Sequence, residues 1–120
     1  MREGWVNLSA NQMRALVEMM KQNGEIERIT VVGKSMEPTI MKGDQLEVDF
    51  DIKEINIGDI IVFVNQNHLT THRVTDHVYK AGVKHYATRG DSPLAGSELV
   101  EERDIICKVV GICKTKSGFL

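Results

Sequence analysis

Ile60-Ile61-Val62-Phe63-Val64, then Asn65-Gln66-Asn67, then His68-Leu69-Thr70-Thr71-His72-Arg73-Val74, is the stretch whose reading decides the fold. The first five residues form a short continuous apolar run, as in a strand covered on both faces. The Asn-Gln-Asn triplet is turn-like and joins that run to a second strand through His72 and Val74. Working outward, Leu46, Val48 and Phe50 alternate with polar residues, as in a half-buried strand. Ala81-Gly82 reads as a turn leading to a strand over His85 to Arg89. Ser92-Pro93 to Gly96 reads as a loop, and Ile105 to Ile112 as a closing strand. Before all of these the period is different. Ser9 with Gln12 makes a capping-box pair, and Met13, Leu16, Val17 and Met20 follow helical spacing. Gly24 supplies the stop, which predicts a helix over residues 9–23. The expected fold is mainly β: an antiparallel β domain over residues 26–120, preceded by one amphipathic helix in residues 1–25.

A chain of 120 residues with a net charge of −2 suits one small domain. The charge is too mild, and the basic residues too scattered, for nucleic acid as a partner. No stretch approaches the ~20 apolar residues that span a bilayer, and Met1-Arg2-Glu3-Gly4 opens no signal-peptide pattern. The expectation is a cytoplasmic protein, or one at the periphery of a membrane through a partner. Cys107 and Cys113 on one extended strand would stand about 20 Å apart, beyond the ~7 Å limit of a disulfide. Free thiols fit that compartment. His68 and His72 share a face about 13 Å apart, too far to bind one ion, and no CxxC or HExxH accompanies them. No metal and no cofactor is expected.

The chemistry gathers on three short segments. Gly33-Lys34-Ser35-Met36-Glu37-Pro38-Thr39 sets a serine on a glycine-flanked turn. A serine hydroxyl is a weak nucleophile until a neighbour takes its proton. Thr71-His72-Arg73 supplies a histidine, the commonest general base. Thr88-Arg89-Gly90-Asp91-Ser92 offers an acid to orient that histidine. A Ser-His-Asp triad is recognised by geometry and not by chain order. Asp91 is the preferred acid, with Glu98 or Asp104 as alternatives. Gly43-Asp44 and Gly58-Asp59 read as structural turns entering strands.

These segments resemble the signal peptidase I and LexA-like serine peptidase superfamily, of S24/S26 type. VVGKSMEPTIMKGDQLEV is similar to its nucleophile box and following strand, IGDIIVF to its second block, THRV to the block with the base, and RGDSP with DIICKVVGI to its final box and strand. The likeness runs from about Ile29 to Ile112. It implies the LexA/signal-peptidase-like β fold, with Ser35, His72 and Asp91 as catalytic residues and Gly33 and Met36 beside the substrate, core packing being the equal alternative for Met36. A histidine where other branches carry lysine resembles the endoplasmic-reticulum type. That branch's membrane anchor has no counterpart here. Nor does the side-chain oxyanion donor found in many signal peptidases two residues before the nucleophile, where Gly33 stands, so the Ser35 backbone amide is the expected donor. The resemblance implies a serine endopeptidase that cuts precursor or leader peptides after a small residue, the peptide lying extended against a strand edge. Two other readings are a self-cleaving regulatory fragment of the LexA and UmuD type, and a non-catalytic peptide-binding module on the same fold. The repressor type expects a lysine base and an Ala-Gly bond before the serine, whereas Ala81-Gly82 and Ala95-Gly96 both follow Ser35.

Overall fold

The apolar run and its neighbours do form strands, seven among the described residues. The protein is represented by a computed structural model, which describes Gln12, Ala15, Glu18, residues 26–31 and residues 33–114. In chain order the strands are β1 (Ile26–Thr30), β2 (Gln45–Asp49), β3 (Ile60–Asn65), β4 (His68–Lys80), β5 (Val83–Arg89), β6 (Ser97–Glu101) and β7 (Ile105–Cys113). They make one sheet in the order β1-β2-β7-β3-β4-β5-β6, with every pair antiparallel. The 3-10 turn Glu102–Asp104 leads into β7.

β3 lies at the centre, and all five residues of Ile60 to Val64 are buried. Successive side chains on a strand point to opposite faces. Ile60, Val62 and Val64 therefore join one core with Met36, Ile40, Leu46, Val48, Phe50, Ile106 and Cys107. Ile61 and Phe63 join a second core with Ile55, Val74, Tyr86, Val100 and Ile105. A strand walled on both faces needs the unbroken apolar sequence seen there.

The hairpin turns follow from backbone geometry. Gln66 and Asn67 have φ of 50° and 68°, and Ala81 and Gly82 have φ of 51° and 78°. Two central residues at positive φ define the turn whose twist matches its flanking strands. The two Gly-Asp pairs are built alike. Asp44 N donates to Met41 O at 3.0 Å and Asp59 N to Asn56 O at 3.0 Å. Each aspartate carboxylate also accepts the backbone N–H of the turn's first residue at 2.8 Å. Gly43 and Gly58 sit at the third position with φ of 92° and 99°, a region L side chains rarely adopt.

Two strands differ from the sequence expectation. β1 and β6, the sheet's two edges, were not foreseen as strands. Of the expected helix, Gln12, Ala15 and Glu18 are helical and exposed. Its apolar face of Met13, Leu16, Val17 and Met20 lies outside the described residues. Cys107 and Cys113 are free thiols on β7.

Candidate active site

Ser35 sits on the loop between β1 and β2. That loop is closed at its base by Val31 N to Asp44 O and Gly43 N to Val31 O, both 2.9 Å. Within it, Glu37 N donates to Lys34 O at 3.1 Å and Ile40 N to Met36 O at 2.9 Å. The side chains that follow the serine hold the loop down. Met36 is 3 % exposed and Ile40 fully buried in the first core. Lys114 pins it from the end of β7, donating to Thr39 O and to the buried Asp44 carboxylate, each at 2.8 Å. Ser35 is thereby lifted half-buried between a buried methionine and an exposed Lys34.

Gly33 is exposed, with open space where a Cβ would stand. That open surface lies beside the serine. Met36 packs into the first core behind the loop.

His72 projects from β4 opposite Ile61 and is 4 % exposed. Phe63 meets its ring edge-on, with centroids 6.2 Å apart. Its Nδ1 lies 2.6 Å from Glu98 Oε1. A carboxylate accepts, so Nδ1 carries a hydrogen, and in the neutral ring Nε2 is then the acceptor. Glu98 is reached from β5 as well, where the Thr88 hydroxyl donates to the same Oε1 at 3.0 Å.

Gly90 brings the serine and histidine together. A Cβ built there would collide with the Ser35 carbonyl oxygen, would lie 2.5 Å from Ala95 Cβ and would stand 3.0 Å from His72 Nε2. The Ser35 carbonyl and His72 Nε2 thus both fall within 3.0 Å of one point. Ser92 N donates to that carbonyl at 2.9 Å, tying the Ser35 loop to the loop after β5. The Ser35 hydroxyl itself has no hydrogen bond among the described residues. Contacts of this kind often tighten only when substrate binds.

The expected orienting acid, Asp91, is engaged elsewhere. Its Oδ1 accepts from Arg73 Nε at 2.9 Å and its Oδ2 from Arg73 Nη2 at 2.7 Å. Thr39 Oγ1 donates to the same Oδ2 at 2.6 Å, and Arg73 Nη1 donates to Gly58 O at 2.8 Å. The carboxylate that meets the imidazole is that of Glu98. The reason is strand periodicity: His72 and Arg73 are consecutive on β4 and face opposite ways. Hydrogen bonds from Arg73 hold the Asp91 carboxyl below the usual carboxylate range, against the opposing effect of burial and with help from Thr39. The same bonds hold Arg73 firmly charged. Asp91 and Arg73 form a clip joining the Ser35 loop, β4 and the turn at Gly58.

Asp104, the other alternative acid, lies in the 3-10 turn before β7. The roles of Thr88, Gly90 and Ala95 were not read from the sequence. Among the described residues no group of three or more His, Cys, Asp and Glu is placed to hold a metal ion. A cleft of about 350 Å³ beside Ile55, His77 and Tyr86 shares none of the residues above, and its lysines and glutamates balance. Among the described residues no helix is long and apolar enough to cross a membrane.

The Ser35 backbone carbonyl and His72 Nε2 flank Gly90, and the other ring nitrogen of His72 is bonded to the Glu98 carboxylate. The profile of the Peptidase S24-like family matches residues 4–86, more than half of the chain. The chain belongs to that family. The match includes Ser35 and His72 and ends before Gly90, Asp91 and Glu98. No curated protein matches the chain.

Proposed function

We propose that this chain is a serine endopeptidase working through Ser35, His72 and Glu98. His72 Nε2 takes the Ser35 proton as Oγ attacks the peptide carbonyl, and then returns it to the leaving amine. Glu98 holds the ring in the productive tautomer and balances the imidazolium that forms. Water then repeats the sequence on the acyl-enzyme. The Ser35 amide, which donates to no carbonyl among the described residues, is the candidate oxyanion donor. The single observation that carries this reading is the 2.6 Å bond from His72 to Glu98, with Nε2 turned towards the Ser35 loop.

A histidine base is the finer part of the proposal. What supports it is where the lysines among the described residues go: Lys108 to Asp59, Lys114 to Asp44, Lys53 to Asp51 and Lys84 over the Tyr86 ring. Lys34, Lys42 and Lys80 are exposed. The substrate, by resemblance, is a precursor or leader peptide bound extended and cut after a small residue. The open surface at Gly33 supports a backbone lying there.

The test is mass spectrometry of a mixed peptide pool incubated with the protein and with Ser35→Ala, following the protein's own mass in the same run. New peptide ends that vanish in Ser35→Ala are expected. Loss of intact mass at Ala81-Gly82 or Ala95-Gly96 would select the self-cleaving reading. An inert pool and an intact chain would select the binding-module reading.

A further inference from the structure

Thr88 is 1 % exposed, on the face of β5 that also carries Tyr86. A buried hydroxyl costs stability unless it is bonded. A valine would fill the same space on a strand without that cost. The sequence nonetheless places a hydroxyl there, and it has one short bond, to Glu98 Oε1 at 3.0 Å. The Glu98 carbonyl lies further off, at 3.4 Å. The oxygen that accepts from Thr88 is the one that meets His72 Nδ1 at 2.6 Å.

We propose that Thr88 is a positioning residue of this site, whose hydroxyl fixes Glu98 Oε1 against His72. Glu98 needs such a fixed point for three reasons. It is a glutamate, with one more rotatable bond than an aspartate. It stands on β6, an edge strand. Its side chain keeps 21 % of its exposure, against 5 % for His72, so water competes for its oxygens. Thr88 and Glu98 are direct partners in the β5–β6 register, which sets their Cβ atoms about 5 Å apart. A short hydroxyl side chain at that spacing reaches a folded-back carboxylate. The inference rests on the reading of His72 as the general base.

The experiment compares Thr88→Val, which keeps the shape and loses the hydroxyl, with Thr88→Ser, which keeps the hydroxyl and loses the methyl. Two readouts are taken: kcat and KM on a peptide cut by the protein, and the His72 Nδ1–H resonance in proton NMR of histidine-labelled protein. Thermal unfolding confirms that both variants fold. Thr88→Val is expected to lower kcat on the order of 10- to 100-fold with KM little changed, and to lose the Nδ1–H signal to exchange with water. Thr88→Ser is expected to keep both. The reverse pattern, valine silent and serine damaging, means that Thr88 serves only in packing and overturns the proposal, as does equal loss in both. If no peptide is cut by the parent protein, the peptidase reading fails and the NMR readout still decides. Signal kept in Thr88→Val overturns the role of Thr88, and signal lost there but kept in Thr88→Ser upholds it.

Discussion

Asp91 and Glu98 stand seven residues apart around the same site and hold different things. Asp91 lies in the loop after β5 and is locked by three bonds from two side chains, Arg73 and Thr39. Glu98 lies on the edge strand and is bonded to His72 and Thr88. The first is saturated with donors and bonded to a permanent cation, so its charge is spent on architecture. The second is bonded to an imidazole, a type of group that can gain and lose a proton, which is what the proposed mechanism asks of it. The difference teaches that an acid beside a histidine in sequence space is assigned by strand face and not by proximity to a motif.

The largest expected effect separates the two directly. Glu98→Gln keeps the shape but can offer its amide hydrogens to Nδ1, which favours the wrong tautomer. A loss of about 10⁴ in kcat follows from the same change in other triads, with thermal stability nearly unchanged. Steady-state kinetics beside thermal unfolding would check this. A Glu98→Gln enzyme with near-normal kcat would return the orienting role to Asp91.

Gly90→Ala strikes the junction between the two acids. The new methyl meets the Ser35 carbonyl, Ala95 and His72 Nε2. None of these is the free end of a flexible side chain, so the serine and histidine must part. A misplacement of about 1 Å costs on the order of 10² in rate. The expected outcome is that loss with the Thr39–Asp91–Arg73 clip intact, read as low kcat in a variant that still unfolds cooperatively. Normal activity in Gly90→Ala would mean that Ser35 and His72 stand further apart than the structure places them.

The strands that make the core were legible, and the edges were not. Ile60 to Val64 and the Leu46–Val48–Phe50 alternation carry strong hydropathy signals because β3 is walled on both faces and β2 on one. β6 carries no clean alternation. Its inward face pairs Glu98 with the buried Val100, while the adjacent apolar Leu99 is 43 % exposed. That mixture hid the strand and left Glu98 only an alternative to Asp91. Ser35 and His72 were singled out because their segments resemble, in register, a nucleophile box and a block with the base, whereas residue type alone leaves Ser35 an ordinary turn serine. Asp91 drew attention because Gly90-Asp91 looks like a site motif, whereas its partner, Arg73, is settled only once β4 assigns His72 and Arg73 to opposite faces. Thr88 was hidden for a related reason: a threonine in a strand looks ordinary until its partner across the sheet is known.

On the Asp91 side the effects are on stability. Asp91→Asn removes the charge from a bidentate pair that is partly open to solvent, Arg73 keeping 34 % of its side-chain exposure. A charge-assisted bond in such a place contributes on the order of 1 kcal/mol. Asp91→Asn and Arg73→Met should each destabilise by about that amount, and the double variant by less than their sum. Denaturant unfolding of the three variants would measure the coupling. Activity should fall less than 10-fold in Asp91→Asn, by loosening Thr39 on the nucleophile loop. A collapse of kcat with unchanged stability would break the comparison.

The smallest effect is a pH dependence, and its sign follows from the direction of the Asp91 shift. The folded-state carboxyl titrates below its ordinary value because Arg73 and Thr39 bond the ionised form. The unfolded chain therefore binds that proton first as pH falls. The contribution of Asp91 to stability is complete above the ordinary carboxylate value of about 4. It is lost as pH drops through the lower folded-state value. Unfolding free energy measured between about pH 6 and 2 should show a component that disappears in Asp91→Asn and survives in Glu98→Gln. Arg73 stays charged throughout this range, so the component reports the carboxylate alone. Equal acid sensitivity in the parent protein and Asp91→Asn would show that the clip contributes nothing to the folded state, and would leave Thr39 and the nucleophile loop held by Lys114 and the core residues Met36 and Ile40.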